Sequence, residues 1–427
     1  MNVALLRVLR VVIRADSDPA RQALFANLMQ ARLLVHILFS FHARVEGTRL
    51  SACLIAAYGA ASANRVTYPS QARPILAYGG HANARRQVAR IVACLGDLGC
   101  GWITPSPGAG GARRLLQAAR SPWWRRLVPL LRRLDRRHGF LVACRASVGI
   151  AWYAAALSEL QRRRPKAVLV SSDSNPEEMG LLGAARLLGV PRVFVSHAYP
   201  TPLSPPLDFT LSILEGNAAV RARRERGPIT GDILLAGVEG ESGPLDVGRF
   251  SREAPVIGIF TPKAVSWPTL AAIIDDCRRH FQPRRIVLRW HPSMMEEPRL
   301  AHLLHDRSGL IESARGLPLE DVARQCDWVI ADENSNVHLP VLKLGIPTIA
   351  VRHLGIYPES RADQYGFVAH GVILPPLHSV TEITPERMAG FFTEAWRERF
   401  AEYDASYLKS PAAMTGAIRA AIETVAR

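Results

Sequence analysis

An α/β architecture, two doubly wound parallel sheets facing across a cleft, is what this sequence predicts, and three observations predict it. Short β-branched and aliphatic runs alternate with helical stretches, the pattern of βαβ units in a parallel sheet. Several of these runs stop at polar loops: Arg285 to Trp290 ends at His291-Pro292, and Trp328 to Ala331 ends at Asp332-Glu333-Asn334-Ser335-Asn336. At 427 residues the chain is also too long for one ordinary core, so two domains are expected.

Composition sets the outer limits. Hydrophobic residues make up 48% and charged residues 21%, a globular balance. No run of about 18 uncharged apolar residues occurs, which argues against a spanning helix. Asp16 follows an apolar start already broken by Arg7, Arg10 and Arg14, which argues against a secretory leader and for a cytoplasmic protein. The net charge of +16 is carried by arginine, since Lys166, Lys263, Lys343 and Lys409 are the only lysines, and such a bias says little alone about partners. Cys53, Cys94, Cys100, Cys144, Cys277 and Cys326 show no C-x-x-C pair and no zinc-like spacing, so they read as reduced thiols.

In chain order, residues 1 to 62 give apolar helical stretches, of which Ala20 to Phe41 is the most continuous. Asp16-Ser17-Asp18 has the form of a metal-holding D-x-D, but Asp18-Pro19 before a helical pattern is better explained as an N-cap with proline in the first turn, and no metal site is expected. Pro74 to Tyr78 reads as a strand, Gly79-Gly80-His81 as a turn, and Ala82 to Leu95 as a helix, a ligand-loop geometry that makes Gly80 and His81 acceptor-side candidates. From 109 to 138 the chain changes character. After Gly108-Ala109-Gly110-Gly111 come Arg113, Arg114, Arg120, Trp123, Trp124, Arg125, Arg126, Arg132, Arg133, Arg136 and Arg137, while Leu127, Leu130, Leu131 and Leu134 fall at helical spacing. A basic face, an apolar face and a tryptophan pair suit an anionic membrane surface, engaged through Arg113 to Arg137, and suit equally a solvated helix packed on its own domain. Nucleic acid is not expected as a partner, because no aromatic stacking platform is interleaved with the charges.

Regular α/β sequence follows. Lys166 to Ser171 is a strand, Asn175 to Leu188 a helix with Pro176 at its start and Gly189 just past its end, and Arg192 to Ser196 the next strand. Those strands end at Ser172-Asp173-Ser174 and at His197. Pro228 to Phe250, rich in glycine, proline and charge, reads as a linker. A second unit begins at Val256 to Phe260, runs into Thr261-Pro262-Lys263 and a helix near Pro268 to Phe281, and continues with strands at Arg285 to Trp290, Trp328 to Ala331 and Thr348 to Val351. Helices are expected near Pro298 to His305, Leu319 to Cys326 and Val337 to Leu344, with Gly345 and Pro347 closing the last. The expected division is an N-terminal domain over 1 to 235, a linker over 236 to 254, a C-terminal domain over 255 to 395, and a helical tail over 396 to 427 that packs back on the N-terminal domain.

Arg289-Trp290-His291-Pro292, then Asp327 to Asn336, then Leu344-Gly345-Ile346-Pro347-Thr348, resemble the paired HP and serine motifs of bacterial capsule-type transferases. That group includes the CDP-glycerol glycerophosphotransferases, the Kdo transferases and the bacterial sialyl- and polysialyltransferases. Leu187 to Ala198 is similar to their strand ending in a His-Gly pair, here His197-Ala198. The usual adjacent serines are replaced by Ser335 between Asn334 and Asn336. The resemblance covers roughly residues 165 to 370 and implies a GT-B-like fold, two Rossmann-like domains, with a nucleotide donor bound by the second.

On that resemblance His291, with Pro292 and Arg289 beside it, donates to a donor phosphate and, if protonated, offsets charge on the leaving nucleotide. Ser335, Asn334, Asn336 and the amides of the next helix hold the same phosphate, with Lys263 a further cation and no metal ion required. The general base comes from the N-terminal half, with His197 first and then Asp173, Glu177 and Glu178. The implied enzyme is a glycosyltransferase or glycerophosphotransferase using a CMP-, CDP- or UDP-linked donor, without another cofactor, on a cell-envelope polysaccharide or lipid-linked glycan at the inner membrane. Two alternatives share the architecture: a UDP-N-acetylglucosamine 2-epimerase-like enzyme and a non-catalytic nucleotide-binding scaffold.

Overall fold

The computed structural model describes residues 9, 11, 47–63, 66–105, 122–200, 204–291, 311–314, 316–356 and 363–427, with backbone alone at 61, 63, 105 and 122–126. Asp16-Ser17-Asp18, Ala20 to Phe41, Gly108 to Gly111, Arg113, Arg114, Arg120, Pro292 and the helix expected near Pro298 to His305 lie outside the described residues, as do the side chains of Trp123, Trp124, Arg125 and Arg126.

The first half runs α1 (Arg49–Ala63), β1 (Val66–Thr67), β2 (Ile75–Tyr78), α2 (Ala82–Leu95), β3 (Cys100–Trp102), β4 (Thr104–Pro105), α3 (Pro122–His138), α4 (Phe140–Arg163), β5 (Ala167–Val170), α5 (Pro176–Leu187), β6 (Arg192–Val195), β7 (Asp208–Leu214), α6 (Asn217–Arg224) and β8 (Thr230–Leu235). The second runs β9 (Val256–Phe260), α7 (Trp267–Phe281), β10 (Arg285–Arg289), β11 (Ile311–Ser313), α8 (Leu319–Ala323), β12 (Trp328–Ala331), α9 (His338–Lys343), β13 (Thr348–Ala350), α10 (Pro385–Phe391), α11 (Glu394–Tyr403) and α12 (Pro411–Val425). The first half forms a parallel sheet in the order β3-β2-β5-β6-β7-β8 and the second a parallel sheet in the order β11-β10-β9-β12-β13. These are the two Rossmann-like sheets the sequence predicts.

Why the central strands are apolar throughout follows from this layering. In β2 and β5 alternate side chains point to opposite faces. Ile75, Ala77, Ala167 and Leu169 pack under α2 and α12, with Val88, Ile91, Ile418 and Ile422. Leu76, Tyr78, Val168 and Val170 pack on the other face with Trp152 from α4 and Leu181 from α5. Both faces are covered, so no polar alternation survives.

Two elements depart from the sequence expectation. Thr230–Leu235, inside the stretch read as a linker, is the edge strand of the first sheet. Its first half is exposed and Gly231 has φ +71°, which is why turn chemistry dominates its sequence. The second is α4, the longest described helix at 24 residues, long and apolar enough by composition to cross a membrane. Here it is a packed helix, lying against α1, α3 and α5 with Val142, Val148, Trp152 and Leu160 buried. The contact with α5 is close enough that a Cβ at Gly180 would sit 2.6 Å from the Gly149 carbonyl and 2.7 Å from Trp152 Cβ.

The chain crosses between the halves at the residues after β8 and again after α11. A buried ion pair ties the two crossings together: Lys343 Nζ lies 3.3 Å from Asp404 Oδ2. Lys343 also donates to Ser406 Oγ at 2.5 Å and to the Val238 carbonyl. Asp404 Oδ1 accepts from Val238 N at 3.0 Å, from Ser406 N at 2.9 Å and from Ser406 Oγ at 2.6 Å. Beyond it, α12 packs back on the first half through Ile418 and Ile422, and Arg419 reaches Asp97 at 2.6 Å.

Candidate active site

In a doubly wound sheet ligands lie outside the carboxyl ends of the two strands whose connections leave in opposite directions. In the first sheet those strands are β2 and β5, which run into Gly79-Gly80-His81 and Ser171-Ser172-Asp173. In the second they are β9 and β12, which run into Thr261-Pro262-Lys263 and Asp332 to Asn336. His197 follows β6 and His291 follows β10, beside each switch point.

The halves face each other through these loops. Asn336 Oδ1 accepts the Tyr199 amide of the first half at 3.3 Å, and Tyr199 stacks on Tyr403 with centroids 5.0 Å apart. Burial lowers the pKa of His81 and His197 on the first half and of His291 on the second, and Lys263, on the second half, adds to the shift in each. The field of Lys263 thus reaches imidazoles on both halves.

His197 is the best defined of them. Its Nδ1 is held by the Ser171 carbonyl, which fixes the proton on Nδ1 and leaves Nε2 with its lone pair. Burial pushes its pKa down; the Ser171 bond and Asp173 oppose that, and Arg223 and Lys263 add to it. The ring is therefore a neutral base at physiological pH. The His81 ring stands edge-on to it at 4.7 Å between centroids. His81 caps α2, its Nδ1 accepting from Ala84 N at 3.3 Å, and it stays open to solvent at the cleft. Crowding by protein, followed by His197 and Lys263, lowers its pKa.

The carboxylates proposed as bases have other work. Asp173 is paired with the buried guanidinium of Arg223, itself also donating to the Pro205 carbonyl at 3.0 Å. Arg223 was not singled out in the sequence, because nothing distinguishes it there from Arg221, Arg224 and Arg226. Glu178 is fully buried and accepts the Gly80 amide at 2.8 Å, while its other oxygen, Oε2, has no partner among the described residues. Burial raises its pKa to about 8, so it is an uncharged prop for the turn. This also revises Gly80, whose amide is spent on Glu178 and where a Cβ would lie 2.8 Å from Glu178 Oε1. Glu177 is half-buried in the first turn of α5, where the helix dipole favours it.

On the donor side the loop after β12 is knit to protein. Buried Asp332 accepts Asn334 N at 3.0 Å and Gly355 N at 2.9 Å. Asn334 Oδ1 accepts Gln364 N at 3.0 Å, and Ser335 Oγ accepts Val337 N at 3.4 Å. The following helix, α9, has six residues, and the Ser335, Val337 and His338 amides are already bonded within the loop. The expected cradle of amides around a phosphate is therefore mostly occupied, which leaves the Ser335 hydroxyl hydrogen and the cations to meet an anion. Arg289 lies over the Phe260 ring at 5.7 Å, its Nε buried without a partner among the described residues, and burial lowers its pKa.

His291 is also revised. Burial, then Lys263 and Arg289, push its pKa down to about 4, so the free ring is neutral at physiological pH. A phosphate placed beside it reverses that field and raises the pKa. Binding that raises a pKa takes up a proton, so affinity strengthens as pH falls into the interval between the free value and the higher bound one, and is flat above it. Calorimetry of a nucleotide-sugar in buffers of different ionisation enthalpy should show proton uptake in the wild type as pH is lowered towards the free value, and none in His291→Gln. Equal uptake in both would remove His291 from the phosphate.

The sequence matches no protein-family model and no curated protein. In three dimensions the chain is similar to the Neisseria meningitidis UDP-GlcNAc 2-epimerase bound to UDP-GlcNAc, at 12% identity over 82% of this chain and 99% of that one, TM-score 0.47. It is similar also to Acinetobacter baumannii MurG, at 12% identity over 82% and 98%, TM-score 0.44. A third likeness is to Phytolacca americana UGT2 complexed with UDP-2-fluoro-glucose and pterostilbene, at 13% identity over 83% and 100%, TM-score 0.48. At these identities and scores the likenesses assign no activity, and the architecture rests on the two strand orders and the facing strand ends.

Proposed function

We propose that this protein transfers a glycosyl or glycerophosphoryl group from a nucleotide-activated donor to a cell-envelope polysaccharide or lipid-linked glycan, at the cytoplasmic face of the inner membrane. The observation that carries the reading is the pairing of roles across the cleft. Lys263, with neutral His291 beside it, sits at one switch point, and a neutral, tautomer-fixed histidine, His197, sits at the other. The first pair suits a departing nucleotide phosphate, where positive charge and N–H donors stabilise the developing negative charge. The second suits removal of a proton from an acceptor hydroxyl. His81, against His197, borders the acceptor.

Lys263→Met should weaken binding of the donor nucleotide by about 10- to 100-fold, the worth of one charge-assisted hydrogen bond to phosphate. Unchanged affinity would take Lys263 out of the donor site. The reaction itself is tested by incubating the protein with CMP-, CDP- and UDP-linked donors, with and without envelope glycan. Nucleotide release that requires the glycan supports transfer. Epimerisation of UDP-N-acetylglucosamine without any acceptor would replace it with the epimerase reading, and nucleotide binding without turnover of any donor would leave a scaffold.

A further inference from the structure

A recess of about 380 Å³ opens on the helical layer of the first half and is lined by Arg49 of α1 and by Arg132, Arg133, Arg136 and Arg137 of α3. Apart from these its lining is Val128 and Pro129, so among the described residues no carboxylate faces it. The acidic residue of α3, Asp135, is turned the other way. It is fully buried and accepts the Gly47 amide at 3.0 Å and the Ser51 hydroxyl at 2.7 Å, which docks α3 on α1 together with Leu131 and Leu134. Arg132 Nε donates to the Gly47 carbonyl at 2.6 Å and so is held in place, while Arg49, Arg133, Arg136 and Arg137 remain exposed. The apolar leucines are thus spent inside the protein, and what the helix offers outward is a concave set of guanidiniums. Like charges held around one hollow repel, and the hollow is relieved by an anion with several oxygens, which guanidinium forks bind in pairs.

We propose that this recess is a binding site for the phosphate of an anionic lipid headgroup, seating the first half on a membrane by charge and not by insertion of an apolar face. The proposal stands apart from the chemistry of the cleft. Wild-type protein should sediment with phosphatidylglycerol vesicles and not with phosphatidylcholine vesicles. R133E/R136E/R137E should lose that binding on the order of a hundredfold, and salt near 1 M, where the screening length is about 3 Å, should release the wild type. Because the substituted side chains are exposed, the variant should keep the wild-type Tm and nucleotide affinity. R133Q/R136Q/R137Q, neutral and not reversed, should fall between the two. Vesicle binding that survives in the reversed variant, or wild type that ignores the anionic vesicles, overturns the proposal. So does wild type that ignores vesicles yet binds inorganic pyrophosphate in a manner the variant loses, since that outcome gives the recess to a small soluble anion.

Discussion

Turnover in His197→Ala is expected to fall by about 10²- to 10⁴-fold, the usual worth of a positioned general base, while affinity for the donor nucleotide stays nearly unchanged. The separation follows from where the ring sits. His197 belongs to the first half, its Nδ1 proton committed to the Ser171 carbonyl and its ring edge-on to His81, on the half where the proposed reaction places the acceptor. The base is neutral because burial disfavours the imidazolium, so kcat/KM should hold its level as pH falls through the ordinary histidine range near 6.5 and decline only below it. Single-turnover rates and nucleotide titrations on the same preparation read the two effects apart. Equal loss of rate and nucleotide affinity would place His197 on the donor phosphate.

Asp404→Ala should destabilise the protein by about 3–5 kcal/mol, the cost of leaving a buried charge unpaired. Lys343 is 3% exposed and Asp404 fully buried, so neither can turn to water when the other is removed. Burial already lowers the lysine pKa against the pull of Asp404, and without that carboxylate nothing of equal strength would favour the charged amine. The double variant Lys343→Met/Asp404→Leu should recover most of the loss, because two apolar side chains carry no desolvation penalty. The apparent Tm checks both expectations. A single variant as stable as the wild type would mean that the crossing after β8 and the crossing after α11 are held by the surrounding hydrogen bonds alone.

How much was legible in the sequence depended on whether the signal was local. Strands β2, β5, β6, β9, β10 and β12 are apolar runs that end at polar loops, and the residues at their ends, His81, Asp173, His197, Lys263, His291 and Asn334, could be read without knowing what they face. What each loop residue bonds to was not legible, because those partners are distant in the chain. Arg223 neutralises Asp173 from 50 residues away, and Glu178 takes the Gly80 amide across 98. A glutamate in a first helical turn reads as dipole compensation, yet here it is buried and holds a loop of another element. The edge strand β8 hid behind glycine and exposed residues, and α4 hid because Arg145 interrupts an otherwise apolar run. The apolar runs place His291 and the Ser335 loop after strands, but protonation and hydrogen bonding are three-dimensional properties, and burial leaves His291 neutral where the sequence alone allowed a charged ring.

If the facing switch points form a nucleotide site, a thermal-shift titration against CMP, CDP, UDP, GDP and ADP detects it. A ligand that binds only the native state stabilises it by about 2.7 kcal/mol at a hundred times its Kd. A concentration-dependent rise in Tm with at least one of these nucleotides, strongly reduced in Lys263→Met, is the predicted result. No rise with any of them at millimolar concentration, or a rise that Lys263→Met leaves intact, would contradict it.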